Sequence, residues 1–524
     1  MAVWIDEEAC TGCAYCNILC PWEALEVSME SFINQVDDEK CVRCLICCNL
    51  CPADALSVPP CRVACPIHMD IPGYLSLCAD GNFLEGYKLM RRTNALPAVL
   101  GHVCYHPCED VCRSSYVDEP IAICAVKRFI AEQVDVDKLE VPRVAKLGKK
   151  IAIVGAGPAG LAAAHELILL GYEVTIFEAS PEPGGMLRYG IPTYRLPKDI
   201  LEKEINYIRR LGVEIKTNNP VGEKVQLDNL RRDFQAVFLA TGAPQSLRLG
   251  IDGEDTPGVT TGVDLLRAIN AGQKVDVTGK VLVIGGGNVA VDAARVAIRL
   301  GASEVNLVCL EARDKMPAFA WEVSRAEEEG VKVNCSLGPR KILSKNGRVS
   351  GVSLQKVKTI ELDETGRIKP VFAEGQELVM DADTVVVAIG QKPSLASLGV
   401  DLTVDPHMLT TNLPGVYAGG DLVTGPTMVV QAMAAGKKAA RYIHRHLNGK
   451  LELPELVSRQ LEKLSTEEYC KSLPVQKRHP ISEEAAGRRI KDFREVDLTY
   501  SRLEAQAEAR RCVSRRVCSE YKEP

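Results

Sequence analysis

The sequence predicts an α/β multidomain protein in which two nucleotide-type parallel-sheet units, one inserted in the other, follow a small helical domain and an N-terminal α+β domain. Three observations predict it. At 524 residues the chain exceeds what one hydrophobic core organises, and length alone implies about three or four domains. Two stretches, beginning at Ile151 and Val281, each run from a short apolar segment into a glycine-rich turn and then a helical pattern. Finally, 16 of the 21 cysteines fall within the first 124 residues, so their clustering is a local device and not a compositional bias.

Ile151–Val154 has no helical period and is followed at once by Gly155-Ala156-Gly157-Pro158-Ala159-Gly160. The first glycine permits the tight turn, the second lets the backbone approach a pyrophosphate, and the third lets the helix pack close to the strand. The helix N-terminus then points its amides at the phosphates. A second strand, Val174–Phe177, ends in Glu178, placed to accept hydrogen bonds from an adenosine ribose. With strand, helix and carboxylate in register, a Rossmann-like unit with a bound dinucleotide outweighs an ordinary strand-to-helix turn.

The formal net charge of −6 argues against a nucleic-acid or anionic-membrane surface. No apolar run approaches the roughly 20 residues that a transmembrane segment requires. The opening MAVWIDEEAC is acidic where a secretory signal is basic and then apolar, so a cytoplasmic protein is expected. In a reducing cytosol, clustered cysteines favour metal over disulfides.

Residues 1–58 contain two copies of one pattern, Cys10-x-x-Cys13-x-x-Cys16-x-x-x-Cys20-Pro21 and Cys41-x-x-Cys44-x-x-Cys47-x-x-x-Cys51-Pro52. Three closely spaced thiolates wrap three iron corners of one cubane, and the fourth reaches across to the other cluster. Soft thiolates suit iron and sulfide. A zinc ribbon has no need of two copies each ending in Cys-Pro. Cys10, Cys13, Cys16 and Cys51 are expected on one [4Fe–4S] cluster, and Cys41, Cys44, Cys47 and Cys20 on the other, with Cys48 surplus. The segment resembles the two-cluster bacterial ferredoxins over its whole length.

From 59 to 146 the pattern becomes helical, with apolar spacing in Gly73–Arg92 and Ile121–Val134. Set into it are Cys61-x-x-x-Cys65-Pro66, Cys104-x-x-x-Cys108-x-x-x-Cys112 and Cys124, six cysteines where one cubane needs four and two need eight. The stretches PCRVACPIHMDIPGYL, GHVCYHPCEDVC and DEPIAICAVKRFIAE resemble the N-terminal iron–sulfur domain of the glutamate synthase small-subunit family. That domain also occurs in dihydropyrimidine dehydrogenase and in the large subunit of NADH-dependent ferredoxin:NADP oxidoreductase. Members carry a further Cys-x-x-Cys just before the position of Cys61, which is missing here. The resemblance implies one [4Fe–4S] cluster on Cys65, Cys104, Cys108 and one of Cys112 or Cys124, and leaves a second open. His68 and His106 are expected as outer groups, and Cys78 as core.

After Glu178, the run Pro183-Gly184-Gly185-Met186-Leu187-Arg188-Tyr189-Gly190-Ile191-Pro192 resembles the same family's flavin loop, with Arg188 facing the cofactor's phosphates or ring. Ala240-Thr241-Gly242 resembles the turn that closes a flavoprotein FAD domain, and Gly420-Asp421 the place where a carboxylate meets the ribityl chain. The helix read over Met428–His446 starts at the flavin in such relatives. The FAD domain is therefore expected in two parts, 147–250 and 384–448, interrupted by an NAD-binding domain at 251–383. There Val281–Ile284 is the strand, Gly285-Gly286-Gly287-Asn288-Val289-Ala290 the turn, and Val291–Leu300 the helix. The resemblance assigns FAD to the first turn and pyridine nucleotide to the second. The strand Val305–Leu310 ends at Glu311, where a carboxylate repels a 2′-phosphate and bonds a free 2′-hydroxyl. NADP-dependent relatives place arginines at Leu310 and Glu311. NAD(H) is expected, with Arg313 as the one opposing feature, and Cys309 and Cys335 are read as core.

Residues 449–524 read as a polar, mostly helical tail. Its AQAEARRCVSRRVCSE resembles the run that precedes the missing cysteine pair in relatives, so a return of Cys512 and Cys518 to Cys61 and Cys112 competes with a tail carrying two bystander thiols. Together the modules form a route for electrons. NADH gives up a hydride, clusters take single electrons, and flavin handles both. The expected function is an NADH:acceptor electron-transfer subunit of a multi-subunit oxidoreductase, partnered by a catalytic subunit or ferredoxin. Alternatives are a glutamate synthase small subunit and a bifurcating NAD(P)H:ferredoxin oxidoreductase subunit.

Overall fold

The computed structural model describes residues 4–5, 16–17, 25–27, 34–36, 56–57, 59–277, 279–362, 368–375, 377–394, 402–448 and 475–513. Of the N-terminal domain it describes two antiparallel ribbons, Trp4–Ile5 with Leu56–Ser57 and Leu25–Val27 with Asn34–Val36. Cys16 is buried. Cys10, Cys13, Cys20, Cys41, Cys44, Cys47 and Cys51 lie outside the described residues.

In the helical domain, Pro60, Pro72, Pro97 and Pro107 each stand at the start of a helix, where a missing N–H costs nothing. The segment Gly73–Arg92, expected as one helix, is two, Ile71–Ala79 and Phe83–Arg91. The break is a left-handed Gly81 (φ +84°), whose N–H reaches Cys78 O while Asn82 N–H reaches Leu77 O, the Schellman arrangement. Helix Ile123–Glu132 agrees with the apolar spacing over 121–134.

A parallel five-stranded sheet follows, in the order Val416–Ala418, Ala236–Leu239, Lys150–Val154, Glu173–Phe177, Glu214–Lys216. Its first member comes from far along the chain, so this domain is discontinuous. Residues of this sheet and of the helical domain share one hydrophobic core. A buried carboxylate, Glu204, crosses between them: it takes the Arg91 guanidinium and Tyr87 hydroxyl and accepts from Ala98 N at 2.8 Å.

The inserted domain has its own parallel sheet, Val259–Thr261, Thr384–Val387, Gly279–Ile284, Ala302–Val308, Lys332–Asn334. The boundary expected at residue 384 thus falls one strand early, because Thr384–Val387 pairs on both edges inside the inserted sheet. The two passages between domains pair instead as Gln245–Ser246 with Gln391–Lys392. An antiparallel sheet of Leu337–Lys345, Arg348–Leu362, Ile368–Phe372 and Leu378–Asp381 completes the insertion.

The tail differs from its expectation. Within 475–513 only Ala486–Arg489 and Arg502–Arg510 are helical. Its charges pair mostly across domains: Arg478 with Glu109 at 2.8 Å, Glu495 with Arg128 at 2.8 Å, and Arg489 with Glu328 at 2.7 Å and, within the segment, with Glu483 at 2.7 Å. Helix Arg502–Arg510, opened by a Ser501/Glu504 capping box, lies against the helical domain, where Arg510 and Gln506 donate to Ala79 O. Among the described residues no helix is long and apolar enough to cross a membrane.

Candidate functional site: two glycine turns and a cysteine-bearing helical domain

The first turn is built as its glycines require. A Cβ on Gly155 (φ +105°) would come 2.5 Å from Ala240 O, and one on Gly160 would meet Gly155 O at 1.9 Å. Gly157 caps helix Pro158–Leu169 and faces open space, which leaves the amide end of that helix approachable. Ala159 is buried in its first turn. Glu178, also buried, accepts from Ala156 N at 2.8 Å and Ser180 N at 2.7 Å, so the carboxylate is fixed beside the turn.

The following loop folds over the same turn. Gly184 N–H bonds Ala156 O, and Gly185 (φ +53°) comes so close that its Cβ would be 2.9 Å from Gly157 Cα. Met186 opens a short helix and its carbonyl receives Ile191 N. Arg188, expected to face the cofactor, instead binds Pro183 O at 2.6 Å, Glu182 at 2.9 Å and Glu202; competing carboxylates of its own domain hold it as a brace for the loop. Lys198, which carried no sequence signal, donates to Ile191 O at 2.6 Å and Leu187 O at 3.3 Å. Burial, and then Arg188, push its pKa down to about 7.

On the other side of the turn lie Ala240, Thr241 and Gly242 (φ +71°). Thr241 Oγ1 is buried with no hydrogen-bond partner, a polar atom waiting for one from outside the protein. Gly420 (φ +67°) packs with its Cβ position 2.8 Å from Ala159 Cβ. Asp421 beside it holds Thr427 through N–H at 3.1 Å and hydroxyl at 2.6 Å, and burial raises its pKa. Helix Val429–Asn448 crosses Pro158–Leu169 closely enough that a Cβ on Gly436 would reach Ala159 O at 2.0 Å, a constraint legible only in three dimensions. The orphaned hydroxyl, the fixed carboxylates and the bare glycine backbone together fit a dinucleotide with a ribityl chain.

The second turn repeats the plan. A Cβ on Gly285 (φ +144°) would meet Ala388 O at 2.2 Å, while Gly287 faces open space at the start of helix Asn288–Arg299. Asn288 Oδ1 accepts from Phe319 N at 3.1 Å, and Val289 and buried Ala290 continue the helix. Glu311 closes on the turn, its Oε2 2.7 Å from where a Gly286 Cβ would stand. Arg313, the opposing feature, is exposed and paired with Glu327 at 2.5 Å. Cys309 is buried against Cys335, and burial and that neighbour push its thiol up to about 12. An aromatic row joins this domain to the helical one: Tyr105 over Phe319 at 6.2 Å, Phe319 over Trp321 at 4.4 Å, and Trp321 over His106 at 5.2 Å.

In the helical domain the six expected cysteines divide. Cys65 and Cys104 end helices Pro60–Ala64 and Pro97–Val103, Cys108 lies in Pro107–Asp110, and Cys124 in the first turn of Ile123–Glu132. All four lie within electrostatic reach of buried Lys127, whose burial opposes charge while Cys104, Cys124, Cys108 and Cys65 favour it and raise its pKa; burial in turn pushes the Cys65, Cys108 and Cys124 thiols up, Cys124 to about 12. His106 N–H donates to Cys104 Sγ at 3.4 Å, and Cys124 Sγ reaches Gly101 O at 3.3 Å. Cys61 and Cys112 belong to a separate pocket, shared with Cys512 of the tail, while Cys518 lies outside the described residues. Between Cys112 and Cys124 the geometry therefore puts Cys124 with the first set. His68 turns to Arg62 O at 3.3 Å, and Cys78 is fully buried beside Ala505 O. Among the described residues no three His, Cys, Asp or Glu converge as one mononuclear metal ion requires. Ligands of a [4Fe–4S] cluster each hold a different iron and have no need to converge on one point.

Three family models match the chain: a 4Fe-4S dicluster domain over residues 2–52, the 4Fe-4S domain II of dihydropyrimidine dehydrogenase over 37–139, and pyridine nucleotide-disulphide oxidoreductase over 149–436. The NADP(+)-dependent formate dehydrogenase subunit beta of Moorella thermoacetica is 41% identical over 495 residues, covering 87% of this chain and 70% of that one. The glutamate synthase [NADPH] small chain of Escherichia coli is 36% identical over 411 residues, 73% of this chain and 87% of that one. FprA of Mycobacterium tuberculosis in complex with NADPH shares the fold, with a TM-score of 0.51 at 22% identity over 57% of this chain and 85% of that one. The chain belongs to the glutamate synthase small-chain family of FAD-type pyridine nucleotide-disulphide oxidoreductases, with 4Fe-4S domains at its N-terminal side.

Proposed function

We propose that the chain is the NADH-dependent electron-transfer subunit of a multi-subunit oxidoreductase, exchanging electrons with a catalytic subunit or a ferredoxin. Gly155, Gly157, Pro158, Ala159, Gly160 and Glu178 would hold the adenine half of FAD, with Gly185, Met186, Ile191, Ala240, Thr241, Gly242, Gly420 and Asp421 along its remainder. Bound flavin supplies the exchange between two-electron and one-electron carriers. The chain's part is orientation: Glu178 and Asp421 anchor hydroxyls, Thr241 offers its unsatisfied hydroxyl, and Lys198 keeps the loop at Leu187 and Ile191 in place. Gly285, Gly287, Asn288, Val289 and Ala290 would receive the exchanging nucleotide.

The observation that carries NADH over NADPH is Glu311, which stands against the second turn while Arg313 is tied to Glu327. Relatives named for NADP(H) make this a sharp test. Anaerobic reduction of the flavin is expected to be at least about tenfold more efficient with NADH than NADPH, the equivalent of ~1.4 kcal/mol of discrimination. Glu311→Arg is expected to reverse the preference. Equal or better reduction of the unaltered chain by NADPH overturns the assignment.

Two [4Fe–4S] clusters on the N-terminal cysteines and one on Cys65, Cys104, Cys108 and Cys124 would carry single electrons to the partner. Supporting the last is the placing of its four thiols, Cys65 and Cys104 at helix ends and Cys108 and Cys124 in first turns, with Cys124 Sγ turned toward Gly101 O and Cys104 O. The 87% coverage of the E. coli glutamate synthase small chain favours a second reading, a glutamate synthase small subunit. Co-purification with a glutaminase-bearing subunit would establish that one instead.

A further inference from the structure

Between Cys124 and Cys470 the chain has only two cysteines, Cys309 and Cys335, and the fold sets them side by side. Each directly follows a strand of the inserted parallel sheet, where Val308 pairs with Asn334. Cys309 N–H continues that ladder to Asn334 O at 3.1 Å, which brings the two cysteines opposite each other in register. Neighbouring strands lie about 4.8 Å apart, inside the roughly 4.4–6.8 Å between Cα atoms that a disulfide spans. The two thiols are within hydrogen-bonding reach of each other. Cys309 is 2% exposed, whereas Cys335 is half-buried. Scattered buried cysteines are ordinary core. A registered pair with one member open to solvent is a place where a disulfide can form with little backbone movement.

The pair stands at the carboxyl ends of the parallel strands, the edge at which such sheets bind nucleotides. It is built into the second glycine turn. A Cβ on Gly286 would come 3.1 Å from Cys309 Cβ and 2.7 Å from Glu311 Oε2, so cysteine and carboxylate press on the same turn residue. Cys309 Sγ donates to Glu311 O at 3.6 Å, and Ser336, left-handed at φ +57°, donates its N–H to the same oxygen at 2.9 Å. The backbone of Glu311 is therefore positioned by Cys309 and by the residue after Cys335. Cys335 Sγ meets Met316 Sδ at 3.7 Å, two residues before Ala318, whose N–H bonds Gly286 O at 3.0 Å.

Resting on the pyridine-nucleotide reading of that turn, we propose that Cys309 and Cys335 are an oxidative modification site, at which a hydroperoxide joins the two as a disulfide and so weakens nucleotide binding. Cys335, the accessible member, reacts first. Its sulfur bonds one oxygen of hydrogen peroxide, the O–O bond breaks, and the other oxygen departs, protonated, as water, leaving a sulfenic acid. The Cys309 sulfur then attacks the Cys335 sulfur: the S–S bond forms, the S–O bond breaks, and the hydroxyl leaves with the Cys309 proton as a second water. Two thiols and one hydrogen peroxide thus give one disulfide and two waters, with two electrons passing from sulfur to oxygen. Burial and Cys335 push the Cys309 thiol up to about 12, so no stabilised thiolate there opposes the disulfide. The bridge takes the S–H donor away from Glu311 O.

The test treats the full flavin- and iron-loaded chain anaerobically with a few equivalents of hydrogen peroxide, then alkylates free thiols and digests with trypsin. Mass spectrometry is expected to find peptides 300–313 and 333–340 joined, lighter by two hydrogens than their sum. In stopped flow, the NADH concentration that half-saturates flavin reduction is expected to rise roughly two- to tenfold, the range for one lost hydrogen bond, and to return with a dithiol reductant. Cys309→Ser and Cys335→Ser keep a donor hydroxyl, and their half-saturating NADH is expected not to move with peroxide. Cluster damage befalls all three proteins alike, so the difference between them belongs to this pair. Unjoined peptides, a join with unchanged NADH dependence, or an equal loss in both variants overturns the proposal. Failure of NADH to reduce the untreated chain refutes the nucleotide reading instead, while the peptide map still decides the disulfide.

Discussion

Glu329 has no exposed side-chain surface and lies between Arg295 and Arg299, at 2.8 and 2.5 Å. Burial alone would raise its pKa, but hydrogen bonds from Arg299 and Arg295 overcome that and hold it down to about 2. A carboxylate depressed in the folded state adds stability above its unfolded pKa, near 4.5, and that contribution fades as pH falls toward 2. Glu329→Gln leaves buried guanidinium charge unmatched and is expected to cost about 3–5 kcal/mol at neutral pH. Melting curves of the two proteins should converge between pH 4.5 and 2; a gap independent of pH would refute the ionised role. At this scale the sequence was readable where a residue acts through its own backbone neighbours, as Glu178 does with Ala156 and Ser180. It misled at Arg188, because Glu202, fourteen residues on, competes for the same guanidinium.

Helix Val429–Asn448 and helix Pro158–Leu169 touch through Gly436, whose missing Cβ leaves room for Ala159 O. Gly436→Ala gains up to about 1 kcal/mol of helix propensity but forces the carbonyl back, an overpacking cost of roughly 1–3 kcal/mol. Since Ala159 belongs to the glycine turn, the expected outcome is a lower flavin occupancy together with a lower melting temperature. Flavin per chain after gel filtration checks it, and unchanged occupancy would show that the turn absorbs the shift. Both glycine turns were legible because their constraint is local and steric. The strand Thr384–Val387 was not assignable to a sheet, since a short apolar run reads the same whichever partner it pairs with. The antiparallel sheet of the insertion announces itself in sequence at Asn346-Gly347, the two-residue turn (φ +53° and +76°) that joins Leu337–Lys345 to Arg348–Leu362, but the pairing of its other strands is set by contacts the local sequence does not carry.

Across the whole molecule, residues 475–513 bind the inserted domain through Arg489 and Arg325, the helical domain through Arg478 and Glu495, and the stretch before helix Lys198–Arg210 through Val496 N–H to Tyr194 O. Arg489→Met removes its bonds to Glu328 and Glu483 and its ion pair with buried Glu329 at 2.9 Å, and is expected to cost about 3–5 kcal/mol, the range for breaking a buried pair. Hydrogen exchange should accelerate along 475–500 before the parallel sheets respond; uniform acceleration would mean this segment has no separate identity. None of this was visible in composition, where the segment is simply polar, because its partners lie hundreds of residues away.

The pocket shared by Cys61, Cys112 and Cys512 also orders events in the protein's manufacture. About 450 residues are polymerised between the first of these cysteines and the last. Until the last is made, that pocket lacks a wall. Closure of that wall is therefore a late step of folding, open only to a chain that has been read through at least to residue 512.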